Sequence, residues 1–288
     1  MRLTKHHGLG NDFLVVLDAD GSSPVDAAGV RALCDRHLGI GADGLIRATR
    51  PAPPDGRTGA APAGGAHAVM TLTNADGSPA EMSGNGIRCL AQALLAAGWA
   101  PGPEVVIDTA AGRRTVTAYD AGNAPVGDFS VDMGPARLAG DAPEWAGGAL
   151  ARAVTVDTGN PHVVVELAPG AAAAARHDTA DVSLVELGEQ VNAKVPGGAN
   201  VHLRAAGGDG SVTIRTYERG VGPTAACGTG ACASAAAAQA WGLVGDVVAV
   251  HMPGGAAHVT LGDTVVLRGP AVYIATIDAP NPVAAGRG

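Results

Sequence analysis

A chain of 288 residues, 47% of them hydrophobic, has the length for two domains of ordinary size and the apolar content to fill their cores. Its formal net charge of -8, with no run rich in Lys and Arg, argues against a nucleic-acid surface and toward a small-molecule partner. The opening MRLTKHHGLGNDFLVV lacks the apolar stretch of a signal peptide, and the alanine-rich segment at 231–241 is too short to span a bilayer, so a cytoplasmic protein with no membrane contact is expected.

In chain order, helices are expected at Asp26–Leu38, Gly84–Ala97, Asp181–Val191 and Gly228–Trp241. Strands are expected on either side of the Pro/Gly-rich tract Pro51–Ala66, at Leu45–Ala48 and Ala68–Thr73, with the tract itself a surface loop. Further strands follow at Val105–Asp108, Thr115–Tyr119, Phe129–Met133, Val154–Asp157, Val163–Leu167 and Val212–Tyr217. The last of them are Val247–His251, His258–Leu261, Val265–Leu267 and Val272–Ile277. The second and fourth helices, IRCLAQALLAA and ACASAAAAQAW, are apolar or small on nearly all sides and so should be buried all round, each inside a wrapping sheet. A domain boundary is expected near Asp120–Val126, giving a first half of 1–124, to which a strand in 272–288 returns, and a second half of 125–271.

Each of those two helices opens on a copy of one string, Ser83-Gly84-Asn85-Gly86 or Cys227-Gly228-Thr229-Gly230. In both copies a glycine, Gly98 or Gly242, follows fifteen positions after the Ser/Cys, and a proline, Pro79 or Pro223, precedes it by four. The chain reads as a duplicated half. A small acid/base or nucleophilic side chain at the same place in each copy suggests two groups facing one pocket, as moving a proton from one face of a carbon to the other requires. A thiol at a helix N-terminus feels the aligned peptide dipoles, so Cys227 is expected to titrate below the ordinary value of about 8.5 and to serve as a base. The N–H groups of Gly228, Thr229 and Gly230, and those of Gly84, Asn85 and Gly86, are expected to bind a carboxylate and steady the developing enolate charge. Taken alone, the string also describes a tight helix entry with Ser83 as N-cap and Cys227 as a small buried residue.

The four cysteines (Cys34, Cys89, Cys227, Cys232) show neither a Cys-x-x-Cys nor a Cys/His metal spacing, and the nine histidines no metalloprotease pattern, so reduced thiols and no metal are expected. The only lysines, Lys5 and Lys194, lie in no phosphate-cradling context, so pyridoxal-phosphate chemistry is not expected and any α-carbon chemistry would be cofactor-free.

The strings KHHGLGNDFLVV, GIGADGL, NADGSPAEMSGNGIRC, DTGNPHVVV, ANVHL and YERGVGPTAACGTGACA, in this order over nearly the whole chain, closely resemble the diaminopimelate epimerase family. That family interconverts L,L- and meso-diaminopimelate, precursors of lysine and peptidoglycan, without a cofactor. The resemblance implies an α+β fold of two pseudo-symmetric domains, each a curled, mostly antiparallel sheet around a central helix, with the active site in the interdomain cleft. It implies that Cys227 is one acid/base group, with Ser83 at the other position, and that Gly84-Asn85 and Gly228-Thr229 bind the reacting carboxylate through backbone amides. Asn11, Asn74, Asn160, Asn200, Glu218 and Arg219 become substrate ligands. The chemistry agrees, since Arg219 offers a planar fork to the distal carboxylate and Glu218 a charge to the distal ammonium. A solvated pair at a strand end is the plainer description of Glu218-Arg219. His162 either lines the cleft or holds the turn after Asn160-Pro161, and a homodimer is compatible with the pattern.

Ser83 stands where the family carries its first catalytic cysteine, and Pro223 where it commonly has glutamate. A serine hydroxyl is a poor base though a usable donor, and replacing a tuned acid/base group costs about 10²–10⁴-fold in rate. Cys89 lies six residues into the helix, roughly 9 Å along it and rotated off the Ser83 direction, so it is not expected to substitute. A natural Ser/Cys pair, an engineered inactivating change and an altered function all stand as readings of Ser83. The leading expectation is the epimerase; the alternatives are a one-base isomerase or dehydratase, a related racemase, or a catalytically impaired ligand-binding homologue.

Overall fold

The computed structural model describes residues 1–51, 65–120, 124–168, 183–206 and 210–279, and the chain divides into two compact units. Unit 1 runs from Met1 to Val131 and resumes at Pro270; unit 2 is Asp132–Gly269. Most of the expected loop Pro51–Ala66, and the first two residues of the helix expected from Asp181, lie outside the described residues.

Unit 1 is built from β1 (Arg2–Gly8), β2 (Asn11–Leu17), α1 (Ala27–Cys34), β3 (Gly44–Thr49), β4 (Ala68–Asn74), the short β5 (Pro79–Ala80), α2 (Gly84–Ala96), β6 (Glu104–Thr109), β7 (Gly112–Ala118) and β8 (Val126–Asp132). Unit 2 contains β9 (Arg137–Asp141), a 3-10 turn at Pro143–Trp145, β10 (Leu150–Asp157), β11 (Pro161–Leu167), α3 (Leu184–Lys194), β12 (Asn200–Ala206), β13 (Val212–Glu218), β14 (Gly222–Thr224), α4 (Gly228–Ala240), β15 (Val247–Met252), β16 (Gly255–Thr260) and β17 (Val266–Asp278). Strand β17 runs through the boundary at Gly269/Pro270: Val266–Arg268 pair with β16, and Val272–Asp278 with β1. The expected strands Val265–Leu267 and Val272–Ile277 are therefore one strand, because its interior Pro270 needs no N–H partner where the pairing changes.

The duplication reappears in the hydrogen bonding. Unit 1 pairs its strands in the order β17–β1–β2–β3–β4–β6–β7–β8, and unit 2 in the order β9–β10–β11–β12–β13–β15–β16–β17. In both, every pair is antiparallel except the third and the fifth, which are parallel (β2–β3 and β4–β6; β11–β12 and β13–β15). Each parallel step needs a crossover, and helices supply it. The first crossover helix, α1 or α3, packs on one face of the sheet: Val30 and Leu33 meet Leu3, Leu14, Val16 and Leu45, and Leu187 and Val191 meet Val163, Val165, Val201 and Leu203. The second, α2 or α4, is buried from its first residue through Leu94 or Ala238 and touches strands from both ends of its own sheet, which curls around it. Strands β2 and β11 are covered on both faces, which explains the unbroken apolar runs FLVVL and, between His162 and Glu166, VVV.

Polar groups inside α2 bind the returning strand. Arg88, fully buried, donates from Nε to Pro270 O (3.4 Å), and Gln92 Nε2 donates to Ala271 O (3.3 Å). Helix α1 stops earlier than the expected Leu38 because the Asp35 carboxylate accepts from the backbone N–H groups of His37 (2.8 Å) and Leu38 (2.7 Å), folding those residues into a turn. Helix α3 starts at Leu184 because Ser183 caps it, accepting from Glu186 N at 3.2 Å. Among the described residues no helix is long and apolar enough to cross a membrane.

Candidate active site

Each unit collects its candidate residues at one end of its sheet. In unit 1, Asn11 opens β2, Asn74 closes β4 opposite Gly44, and Ser83 caps α2. The turn leading into Asn11 is Leu9-Gly10, with φ of 56° and 83°, the positive values that a two-residue hairpin between right-twisted strands requires. Leu9 is the one non-glycine residue with positive φ among the described residues, so backbone strain sits beside Asn11.

Asn11 is held from both ends: its Nδ2 donates to Asp43 Oδ2 (2.7 Å), and its Oδ1 accepts from Asn85 Nδ2 (3.2 Å). Arg88 donates to Asn85 Oδ1 (2.6 Å) and to Gly84 O (3.0 Å), so a guanidinium buried in the helix locks that helix's own first turn. The chain Asp43–Asn11–Asn85–Arg88 thus fixes two expected ligands through two further residues, Asp43 and Arg88, that carry no motif of their own in the sequence. Asn74 Nδ2 donates to Ser78 Oγ (3.1 Å) within its turn. Ser83 Oγ accepts from Gly86 N at 3.0 Å.

In unit 2, Asn160 and His162 lie at the start of β11, Asn200 opens β12 opposite His162, and Glu218 closes β13. Asn200 Oδ1 accepts from Arg219 N (2.9 Å), and Arg219 Nη1 donates to Gly197 O (2.9 Å), tying the guanidinium to the loop before β12. Cys227 caps α4: its Sγ accepts from Gly230 N at 3.4 Å and lies 3.4 Å from Thr229 Oγ1. The two caps are near superimposable, with φ/ψ of -139°/121° at Ser83 and -129°/112° at Cys227. Each side chain is therefore an N-cap, at the same position that makes it the acid/base candidate. The cap bonds use the N–H groups of Gly86 and Gly230, which corrects the expectation that these two would serve a carboxylate. Gly84, Asn85, Gly228 and Thr229 supply the first-turn donors that precede them.

The electrostatics of Cys227 also depart from the dipole argument. Burial first, and then the Glu218 carboxylate beside it, push the thiol well above its ordinary value; the hydrogen bonds from Thr229 and Gly230 pull the other way and lose. A buried thiolate facing a carboxylate costs more than half a helix-end charge returns. Glu218, assigned from the sequence to the distal ammonium, has its carboxylate at the thiol, and Thr224 Oγ1 donates to it at 2.6 Å. Burial pushes Cys34 and Cys89 up to about 12, which makes Cys89 an inert core thiol rather than a substitute base. Lys5 is paired with Asp12 (3.0 Å) and Lys194 lies over the Trp145 ring (5.2 Å), so both lysines are committed to the fold. Among the described residues no group of His, Cys, Asp and Glu side chains is arranged to hold a metal.

A family model for diaminopimelate epimerase matches residues 3–139 and 154–274. The chain is 39% identical to the diaminopimelate epimerase of Mycobacterium tuberculosis, covering 96% of both proteins, and 38% identical to that of Mycolicibacterium smegmatis, covering 96% of this chain and 95% of the relative. Among solved structures, its fold is shared with a predicted epimerase from Pseudomonas aeruginosa (TM-score 0.70, 16% identity, 96% and 98% of the two chains). A hydroxyproline epimerase from Agrobacterium vitis shares it too (TM-score 0.66, 20% identity, 96% and 91%). By its sequence, the chain belongs to the diaminopimelate epimerase family.

Proposed function

We propose that this chain epimerises L,L-diaminopimelate to meso-diaminopimelate, a step of lysine biosynthesis, with Cys227 and Ser83 serving opposite faces of the α-carbon. Family membership makes it an isomerase acting on a small amino acid. The observation that carries the two-group reading is the equivalence of the caps: Ser83 and Cys227 follow topologically identical strands and differ by about ten degrees in φ and ψ. No cofactor enters the scheme.

Proton accounting assigns the roles. A thiol at Cys227 and a hydroxyl at Ser83 are two donors, and epimerisation needs one donor and one base. Glu218 is the acceptor placed to relieve the surplus: the Sγ proton passes to its carboxylate, and the thiolate removes the α-proton. Ser83 then delivers its proton to the other face, and the alkoxide character left on Oγ is eased by the N–H of Gly86 and the helix N-terminus until, after product leaves, Ser83 takes a proton from solvent and Glu218 returns its own, which resets both groups. The first-turn N–H groups of Gly84, Asn85, Gly228 and Thr229 hold the reacting carboxylate, where enolate charge develops. Asn11, Asn74, Asn160 and Asn200 bind the polar ends of the substrate, with Arg219 on the distal carboxylate.

The setting is the cytoplasm, and the assembly a homodimer through the exposed apolar side chains of unit 1, Tyr119, Val126, Tyr273 and Ile274. Sedimentation tests the dimer: a mass of one chain at micromolar concentration excludes it. The function is tested by incubating the purified chain with L,L-diaminopimelate and resolving the isomers chromatographically. Accumulation of the meso isomer supports the reading; unchanged L,L substrate rejects it.

A further inference from the structure

Behind Asn160, unit 2 contains a buried side-chain relay whose two histidines none of the roles above uses. His202 on β12 is fully buried, with Nδ1 3.0 Å from Thr216 Oγ1 on β13 and Nε2 2.8 Å from His162 Nδ1. His162, also buried, has its Nε2 2.8 Å from Asn160 Oδ1, which lies 3.2 Å from Thr158 Oγ1 as well. Burial holds both imidazoles neutral, at about 3 for His202 and well below the ordinary value for His162. Each ring then has one donor and one acceptor.

Three contacts and three protons leave a single consistent direction once Asn160 Oδ1 is an acceptor. Thr216 donates to His202 Nδ1, His202 Nε2–H donates to His162 Nδ1, and His162 Nε2–H donates to Asn160 Oδ1. The amide of Asn160 is thereby occupied at its oxygen and presents Nδ2, a donor suited to a carboxylate. Run backwards, the same relay would present the oxygen, which suits an ammonium. The polarity of the relay sets what Asn160 recognises. The His202 ring also lies directly under the first turn of α4: a Cβ added at Gly230 would come within 2.1 Å of its Cε1. One ring thus touches the turn whose cap is Cys227 and, through His162, the amide of Asn160.

We propose that His202 is a positioning residue, acting through His162 to fix the Asn160 amide with its NH₂ toward a substrate carboxylate while supporting the glycine turn that follows Cys227. The inference rests on the epimerase reading for the identity of the ligand, and on unit 2 alone for its geometry.

The test separates hydrogen bonding from packing. His202→Phe keeps a flat ring beneath Gly230 and removes both nitrogens; His202→Gln places an amide N–H near the former Nε2. Affinity for meso-diaminopimelate is read by calorimetry, KM and kcat from isomer conversion, and tautomers from ¹⁵N–¹H spectra of the histidine-labelled parent. The Phe variant should raise Kd and KM by about tenfold with kcat within about threefold, and the Gln variant should recover most of the loss. The parent's spectra should show Nε2–H on both rings. Unchanged Kd and KM in the Phe variant, a loss confined to kcat, equal losses in the Phe and Gln variants, or Nδ1–H on either ring would each overturn the proposal. A parent that neither binds nor converts diaminopimelate would instead reject the epimerase reading, and the tautomers would still decide the polarity of the relay.

Discussion

Replacing Ser83 by cysteine converts the weaker of the two proposed acid/base groups into a copy of the stronger. Space is the first question, and the other half of the chain answers it. The cap geometry that holds an oxygen 3.0 Å from Gly86 N in unit 1 holds a sulfur 3.4 Å from Gly230 N in unit 2, with nearly the same backbone angles. The variant should fold, losing about 0.5–1 kcal/mol from a weaker N-cap. The gain lies in proton delivery, because a thiol gives up its proton to a carbanion far more readily than an alcohol does. A matched acid/base group contributes about 10²–10⁴-fold, so the lower bound is a hundredfold rise in turnover, or about 2.7 kcal/mol off the barrier. It should appear in kcat with KM nearly constant, since the backbone donors and the asparagines are untouched. The assay is conversion of L,L- to meso-diaminopimelate followed at saturating substrate. A Ser83→Cys rate equal to or below the parent's would refute the argument, marking serine as an adapted catalytic group or the chemistry as something other than two-group epimerisation.

Cys227→Ala should abolish α-proton exchange into deuterated solvent, read by mass; near-parental exchange would remove Cys227 from the mechanism. Arg219→Lys should weaken diaminopimelate binding by about 1.5–3 kcal/mol through loss of a planar, charge-assisted contact, and an unchanged dissociation constant in calorimetry would put Arg219 outside the site. Acid should destabilise unit 2, because the folded values of His202 and His162 lie below the unfolded value of 6.5, so protons favour the unfolded chain. That stability is complete above pH 6.5 and declines as pH falls toward the folded values, by up to about 1.4 kcal/mol per pH unit for each ring. The urea midpoint should therefore drop between pH 7 and pH 5, and less steeply in His202→Phe; a flat midpoint would contradict the burial argument.

What the sequence made legible, and what it hid, follow from the range of the forces involved. The two central helices and their caps were readable because Ser83 and Cys227 act on N–H groups three residues away, and because a helix apolar on all sides has one place to go. The duplication was readable as a string, and it proved to be a duplicated pattern of parallel and antiparallel pairing. Strand β9 was missed since all of its residues are exposed, so no buried face marks its period. The state of Cys227 was misjudged because burial and the Glu218 carboxylate, nine residues away in sequence, outweigh a local dipole. Asp43, Arg88 and His202 act through partners 32, 3 and 40 residues distant, and only the Arg88–Asn85 spacing is a signal that a helix periodicity could have carried.

In the proposed reaction one carbon is deprotonated on one face and reprotonated on the other by two side chains. Its most direct test is incubation of L,L-diaminopimelate in deuterium oxide, with mass and configuration read together during the first turnovers. Meso product should carry one deuterium at the inverted centre, while the remaining L,L substrate stays unlabelled. Deuterium appearing in L,L substrate without inversion, or neither label nor inversion, would contradict it.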